Sequence, residues 1–164
     1  MKKIGLLSDT HAFLNPKIFE YFADCDEIWH AGDIGVNGVA EKLAAFKPFR
    51  AVYGNIDDHL LRATYSQHLR FMCEEVDVWM THIGGYPGRY APEVRPRIYE
   101  YPPMLFICGH SHILKVTYDK SRKILCLNPG AAGKYGIHSV RTLLRFEIDK
   151  KEIRNLEVIE IGNQ

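Results

Sequence analysis

The chain has 164 residues, 46% of them hydrophobic and 25% charged, which suits one globular domain over residues 1–164 with a single well-buried core. A net charge of +1 offers no broad field for a membrane surface or for nucleic acid, which is not indicated, and no segment reaches the roughly 20 apolar residues of a membrane span. The basic-then-apolar start stops at Ser8-Asp9, too short for a signal-peptide core, and no two of Cys25, Cys73, Cys108 and Cys126 form a CxxC pair, so the chain reads as a cytoplasmic protein with reduced thiols.

Taken in order, the first half alternates strand and helix. Lys3 to Ser8 reads as a buried strand. Pro16 to Ala23 places Ile18, Phe19 and Phe22 at helical spacing, with Asn15 as the N-cap and Pro16 at the first helical position. Glu27 to Ala31 is a second strand, Asn37 to Phe46 a second helix with Val39, Leu43 and Phe46 on one face, and Phe49 to Tyr53 a third strand. This order implies a parallel sheet with right-handed crossovers.

The second half changes character. Arg70 to Glu75 and Asp77 to Thr81 read as adjacent strands joined by a tight turn. Gly84 to Pro103 is a loop region rich in Gly, Pro, Tyr and Arg, with room for a short helix over Glu93 to Tyr99 that Pro96 limits. Leu105 to Cys108 is a short buried strand. Ile113 to Tyr118 with Lys123 to Leu127, and Arg141 to Ile148 with Glu152 to Ile161, read as two hairpins, the last with an imperfect alternation. The expected fold is α/β: two mixed sheets packed face to face as a sandwich, with helices outside, four layers in all.

Five segments at the ends of apolar runs carry the candidate chemistry: Asp9-Thr10-His11, Gly32-Asp33, Gly54-Asn55, His82, and Gly109-His110-Ser111-His112. Two Asp, one Asn, four His and no Cys suit hard or borderline divalent metals, and so metal-assisted hydrolysis. Asp9 and His11 can turn toward one ion from the first loop. Gly32 permits close backbone approach to an ion, and Asp33 can bridge two ions, one oxygen to each. Asn55 adds an amide oxygen without charge, and His110 and His112 can serve adjacent ions. Any one of these segments alone is an ordinary turn or a hydrogen-bonded histidine; the signal is their joint occurrence.

This ordered pattern, with Asn128-Pro129-Gly130 as a further element, resembles the calcineurin-like metallophosphoesterase superfamily. Within it, the short chain resembles the small bacterial and archaeal phosphodiesterases, which are similar to the retromer subunit of the same fold. The resemblance implies that Asp9, His11 and His112 hold one metal, that Asn55, His82 and His110 hold a second, and that Asp33 bridges them. Asp33 and Asn55 would act catalytically through the metals, which would lie about 3.5–4 Å apart and activate a water for in-line attack. Mn2+ is the expected metal, with Ni2+, Zn2+, Fe2+ or Mg2+ as alternatives. The expected partner is a phosphate ester, nucleotide-like among the options; a homo-oligomer is left open.

One departure narrows the chemistry. Many superfamily members carry His directly after the Gly-Asn, as a proton donor; here that residue is Ile56, followed by Asp57 and Asp58. Isoleucine cannot protonate a leaving group, so esters with good leaving groups are favoured and the general acid is unassigned. A phosphodiesterase is the leading reading. The alternatives are a phosphomonoesterase or nucleotide pyrophosphatase, or a metal-binding scaffold that acts through protein partners. His30 reads either as an orienting residue beside the site or as a satisfied structural histidine, and Asp57 as a loop stabiliser or hydrogen-bond partner of a ligand. Asp58 can cap a helix-like turn; His59, His68 and His138 read as surface or locally bonded residues. The Gly84–Tyr101 loop, with Arg89, Arg95, Arg97 and four tyrosines, is either a substrate wall or a solvated surface.

Overall fold

A computed structural model describes residues 1–162; Asn163 and Gln164, the end of the expected domain, lie outside the described residues. The first strand, β1 (Lys2–Leu7), is buried on both faces from Ile4 onward, as the central strand of a covered sheet must be. Its alternation divides the core: Ile4 and Leu6 point toward a second sheet, whereas Leu7 points toward helices.

The helices on that outer face are short. The first, α1 (Lys17–Tyr21), begins one residue later than its proline suggested, and Asn15 Oδ1 accepts from the Lys17 N–H at 2.9 Å. After β2 (Glu27–His30), α2 (Val39–Phe46) starts two residues late because Asn37 and Gly38 both adopt left-handed backbone (φ 68° and 74°). Ile18, Phe22, Val39 and Leu43 from these helices bury against Leu7 and Ile28.

β3 (Phe49–Ala51) is followed by α3 (His59–Thr64), whose N-cap is Asp58, its carboxylate accepting from Leu61 N–H at 3.0 Å. The expected hairpin is β4 (His68–Cys73) and β5 (Val76–Thr81), turning at Glu74, whose φ is 52°. The segment read as loop contains a tiny hairpin, β6 (Gly85–Tyr86) and β7 (Arg89–Tyr90), then α4 (Arg95–Glu100), where Pro96 sits in the first turn, the place a proline disturbs least. The remaining strands are β8 (Leu105–Ile107), β9 (Leu114–Asp119), β10 (Ile124–Pro129), β11 (Arg141–Asp149) and β12 (Glu152–Ile161). The imperfect alternation of the last hairpin has a cause: its register shifts between Arg145 and Glu147.

Two five-stranded mixed sheets result, in the orders β12-β11-β1-β2-β3 and β4-β5-β8-β10-β9. β1, β2 and β3 run parallel in the first; β5, β8 and β10 run parallel in the second. Trp29, Phe146, Val78, Met80 and Ile107 fill the space between the sheets, and Phe106, Trp79 and Ile98 pack α4 on the far side. The expected four-layer sandwich is therefore the observed one. Trp29 is fully buried with Phe71 edge-on at 5.0 Å, so its truncation to Ala would cost about 3–5 kcal/mol. All four cysteines are unpaired, and no helix among the described residues is long and apolar enough to cross a membrane. The C-terminal ends of the parallel strands of each sheet collect at one edge, and the candidate residues sit there.

Candidate metal centre

The loops after β1 and β2 are stitched together beyond the strands. Asp9 N–H donates to Gly32 O at 3.0 Å, His11 N–H to Asp33 O at 3.0 Å, and Ala12 N–H to Ile34 O at 2.9 Å. This irregular ladder requires unusual backbone. Asp9, His11, Asp33, His110 and His112 all have positive φ, between 46° and 71°. Five of the seven candidate donors thus occupy a region that non-glycine residues seldom adopt, a form of strain that concentrates at functional sites.

Two glycines make the close approach possible, though not as expected. The backbone of Gly32 (φ 100°) leaves room for the His82 imidazole, not for an ion: a Cβ there would lie 2.6 Å from His82 Nδ1. A Cβ on Gly54 would collide with the Asp33 carboxylate. The first glycine seats a donor from the second sheet, and the second sets the Asp33 and Asn55 loops against each other.

All seven candidate donors come to one place, contributed by the edges of both sheets. Asp9, His11 and His112 offer ligand atoms within 4.8 Å of one another, and so do Asp33, His82 and His110. Asp9 Oδ1 lies 3.2 Å from His112 Nε2 and 3.7 Å from His11 Nε2. Asp33 Oδ2 lies 3.2 Å from His82 Nε2 and 3.4 Å from His11 Nε2, between the two groups. Asn55 Oδ1 is 3.0 Å from His110 Nδ1. Asp9 Oδ1, His11 Nε2 and His82 Nε2 are buried without a hydrogen-bond partner among the described residues. Three converging orphan atoms are costly in a folded interior unless something binds them. An oxygen-and-imidazole set of this kind fits divalent cations, which would satisfy all three at once.

Hydrogen bonds fix which atoms remain available. His82 Nδ1 is 2.7 Å from Ala31 O, and a carbonyl only accepts, so Nδ1 carries a proton and Nε2 is the nitrogen that would ligate once unprotonated. Asp9 Oδ2 is held by Ser8 Oγ at 2.7 Å and by His110 N–H at 3.1 Å, which leaves Oδ1 facing the cluster.

Electrostatics follow from this packing. Burial raises the Asp9 carboxyl, but the nearby His11 and His112 imidazoles outweigh it and hold the group well below the usual carboxylate range. Asp33 is likewise driven up by burial and carried below its ordinary value by His82. His82 is lowered by burial but raised overall by Asp33; His112 is raised by its bond to Asp9; burial lowers His110. The metal-free centre therefore holds two ionised carboxylates beside His82 and His112, whose imidazoles retain protons more readily than usual.

The supporting residues explain several open readings. His30 is a satisfied histidine: Gly32 N–H donates to its Nδ1 at 3.1 Å, so Nε2–H donates to Thr10 Oγ1 at 3.0 Å, and the Thr10 hydroxyl donates to Ile34 O at 2.8 Å. Complete burial pushes its pKa down to about 3, so it is neutral. It braces the first two loops and has no nitrogen left to ligate. Asp57 is buried and accepts from Gly54 N–H at 2.8 Å, Gly35 N–H at 2.8 Å and Ile34 N–H at 3.2 Å, a clasp across the Asp33 and Asn55 loops. Asn128 turns its amide inward, donating to Gly109 O at 2.9 Å and accepting from Gly130 N–H at 3.0 Å. That turn is structural.

Ile56 is 45% exposed, and only its backbone N–H serves the site, donating to Asp33 Oδ1 at 3.0 Å. In the Gly84–Tyr101 loop, Tyr90 is buried and donates to Asp119 Oδ2 at 2.7 Å, and Arg95 donates to Tyr90 O at 3.0 Å; Tyr86 is the member that borders the site. Two neighbours were not anticipated. Tyr135 stacks on His11 at 4.9 Å between ring centroids, and His138, whose Nε2–H donates to Gly133 O at 2.8 Å, sets its ring edge-on to His112 at 5.2 Å. His138 is locally bonded as expected, but beside the cluster. Neither has a spacing signal; their loop reaches the site only through the fold.

Similarity to known proteins identifies the family and the fold. The family model of the calcineurin-like phosphoesterase superfamily domain matches residues 1–151. A probable metallophosphoesterase of Methanothermobacter thermautotrophicus is 29% identical over 133 residues, covering 78% of this chain and 76% of the relative. Among solved structures, a novel archaeal phosphodiesterase superposes with a TM-score of 0.76 at 23% identity, covering 97% of this chain and 99% of that one. Vps29 of Entamoeba histolytica complexed with zinc superposes with a TM-score of 0.73 at 14% identity, covering 97% and 98%. These two likenesses concern the fold.

Proposed function

The chain belongs to the calcineurin-like phosphoesterase superfamily, and on that basis we propose that it is a phosphodiesterase with two divalent metals, Mn2+ foremost, held by Asp9, His11, Asp33, Asn55, His82, His110 and His112. The observation that carries this reading is the convergence of three orphaned buried atoms, Asp9 Oδ1, His11 Nε2 and His82 Nε2. When bound, such ions neutralise charge on the phosphoryl oxygens and make a water nucleophilic near neutral pH.

The chain's own residues do the rest. Asp33, between the two groups, would bridge, and its Oδ1 is oriented by the Ile56 N–H. Two carboxylates against two divalent ions leave the centre net positive, because Asn55 adds no charge, and this favours an anionic ester. His82 and Asp9 are each fixed by a bond from the atom turned away from the cluster, so little reorganisation accompanies reaction. Ile56 on the rim can hold no proton, and Asp57 spends its carboxylate on three backbone N–H groups. The reading therefore favours esters whose leaving group departs without protonation, such as nitrophenolate, over alkyl esters. The unpaired cysteines fit a reducing, cytoplasmic setting.

The scaffold reading draws on the likeness to Vps29 and on exposed Ile83, Ile113 and Tyr135 near the cluster. Hydrolysis of bis(p-nitrophenyl) phosphate separates the two. The enzyme reading expects a Mn2+-dependent rate that chelation abolishes and Asp33→Asn lowers by more than about 100-fold, beyond the loss typical of replacing a residue that only orients a ligand. A rate equal to that of the variant would favour the scaffold.

A further inference from the structure

Beside the metal cluster lies a cavity of about 250 Å3. His110 both lines this cavity and belongs to the Asp33–His82–His110 group, so the cavity adjoins the centre. Most of its remaining surface is apolar, with Ser111 and Lys115 as polar members of the wall. Ile83 and Ile113 line it at 46% and 63% exposure, so aliphatic surface faces the space. Tyr86 forms a side, held by Lys115, whose Nζ lies 3.8 Å from its ring centroid. Cys108 and Cys126 lie deeper, and burial pushes their thiols up to about 12 and about 11, which keeps them uncharged. The one amide on the wall, Asn128, turns its polar atoms to Gly109 O, Ser111 Oγ and Gly130 N–H.

A second cavity, of about 550 Å3, lies on the other side of Ile83 and also reaches His82 and Asn55. Its lining is mixed, with Arg62, Gln67 and Glu93 beside Tyr53, Ala91 and Pro92. A phosphodiester carries two ester arms, and the centre has two unlike spaces beside it. The smaller one falls below the volume of a drug-sized site and suits a single ring. Ser111 Oγ already accepts from Ile113 N–H and from Asn128, and Lys115 lies over the Tyr86 ring, so few partners remain for the several polar atoms of a nucleobase edge, and burying such an edge without partners is unfavourable.

Resting on the phosphodiesterase reading, we propose that the smaller cavity receives one ester arm of the substrate and selects an apolar, ring-sized arm over a methyl group or a nucleobase, with Ile83, Tyr86 and Ile113 setting the preference. Ile113 and Tyr86 are exposed and stand outside the donor set, so they can be altered without touching the metals.

The test compares p-nitrophenyl phenylphosphonate with p-nitrophenyl methylphosphonate, which share a leaving group and differ in the other arm. With Mn2+-loaded protein, KM for the phenyl compound is expected to be about tenfold lower, the size expected for burying one ring. Ile113→Asn and Tyr86→Ala should each shrink that phenyl-over-methyl advantage to about threefold or less. Thymidine 5′-(p-nitrophenyl phosphate) should show no such advantage over the methyl compound. Calorimetry supplies a readout without turnover: phenylphosphonate should bind about tenfold tighter than methylphosphonate. Equal KM and equal affinity in the unaltered protein, or a phenyl preference that both substitutions leave intact, would overturn the proposal. Absence of hydrolysis with the binding preference retained would remove the reaction assignment and support the selectivity of the cavity.

Discussion

The candidate centre has a buried half and an exposed half, built in different ways. Asp9, Asp33 and His82 are 0%, 2% and 3% exposed, and each is tied to backbone or to a neighbouring side chain by the atom that does not face the cluster. Asn55 and His110 are exposed, and the bond between their side chains is a contact within the cluster itself. The difference teaches that the buried donors are part of the fold, preset by the same hydrogen bonds that close the loops. Of the exposed donors, His110 borders the smaller cavity and Asn55 the larger, where both face what enters. Substitutions in the two halves should therefore separate stability from activity.

The largest effect is expected at Asp57, which is not a donor. Asp57→Ala strands three backbone N–H groups between the Asp33 and Asn55 loops, and should cost about 3–5 kcal/mol in denaturant unfolding. Metal affinity should also fall by about 10–100-fold, since the loops that carry two donors lose their tie. A stable Asp57→Ala protein with intact metal binding would break the link between clasp and centre.

A matched pair of histidine truncations sharpens the contrast. His82→Ala leaves the buried Ala31 carbonyl without its donor and a void against Gly32, so it should lose about 2–4 kcal/mol as well as activity. His110→Ala, on the exposed side, should change stability by about 0.5 kcal/mol or less while lowering turnover by more than about 100-fold. Similar stability losses at both positions would dissolve the distinction.

The smallest effect is on pH. His82 and His112 are raised above the ordinary histidine value of about 6.5 by Asp33 and Asp9, and a protonated imidazole cannot ligate. Both must lose their protons to bind metal. Mn2+ affinity should therefore rise with pH through and above about 6.5, with protons released on binding, as titration calorimetry in buffers of different ionisation enthalpy would show. In the metal-free protein the sign reverses for these two groups. Their raised values contribute stability that is complete below about 6.5 and is lost as pH climbs through the folded values.

Much of this arrangement could be read along the chain because it depends on local pattern. Apolar runs mark β1, β2, β5 and β8, and a donor follows each one, so strand ends could be located without coordinates. Asp58 as a cap and Pro96 in a first turn are likewise local chemistry. What escaped depends on contacts between distant residues. The Asp57 clasp joins residues 22 and 23 apart, and the bond from His110 N–H to Asp9 spans 101. The left-handed backbone at five donors has no marker, since neither Asp nor His demands it. Gly32 could be seen as special, but the ring it accommodates comes from the other sheet. Tyr135 and His138 arrive from a loop with no motif.

The central claim is that two divalent ions share Asp33. Anomalous diffraction at the manganese edge from crystals grown with Mn2+ tests it most directly. The account predicts two peaks about 3.5–4 Å apart. One should be surrounded by Asp9, His11 and His112, the other by Asn55, His82 and His110, with the Asp33 carboxylate between them. A single peak, or two peaks that Asp33 does not join, would contradict it.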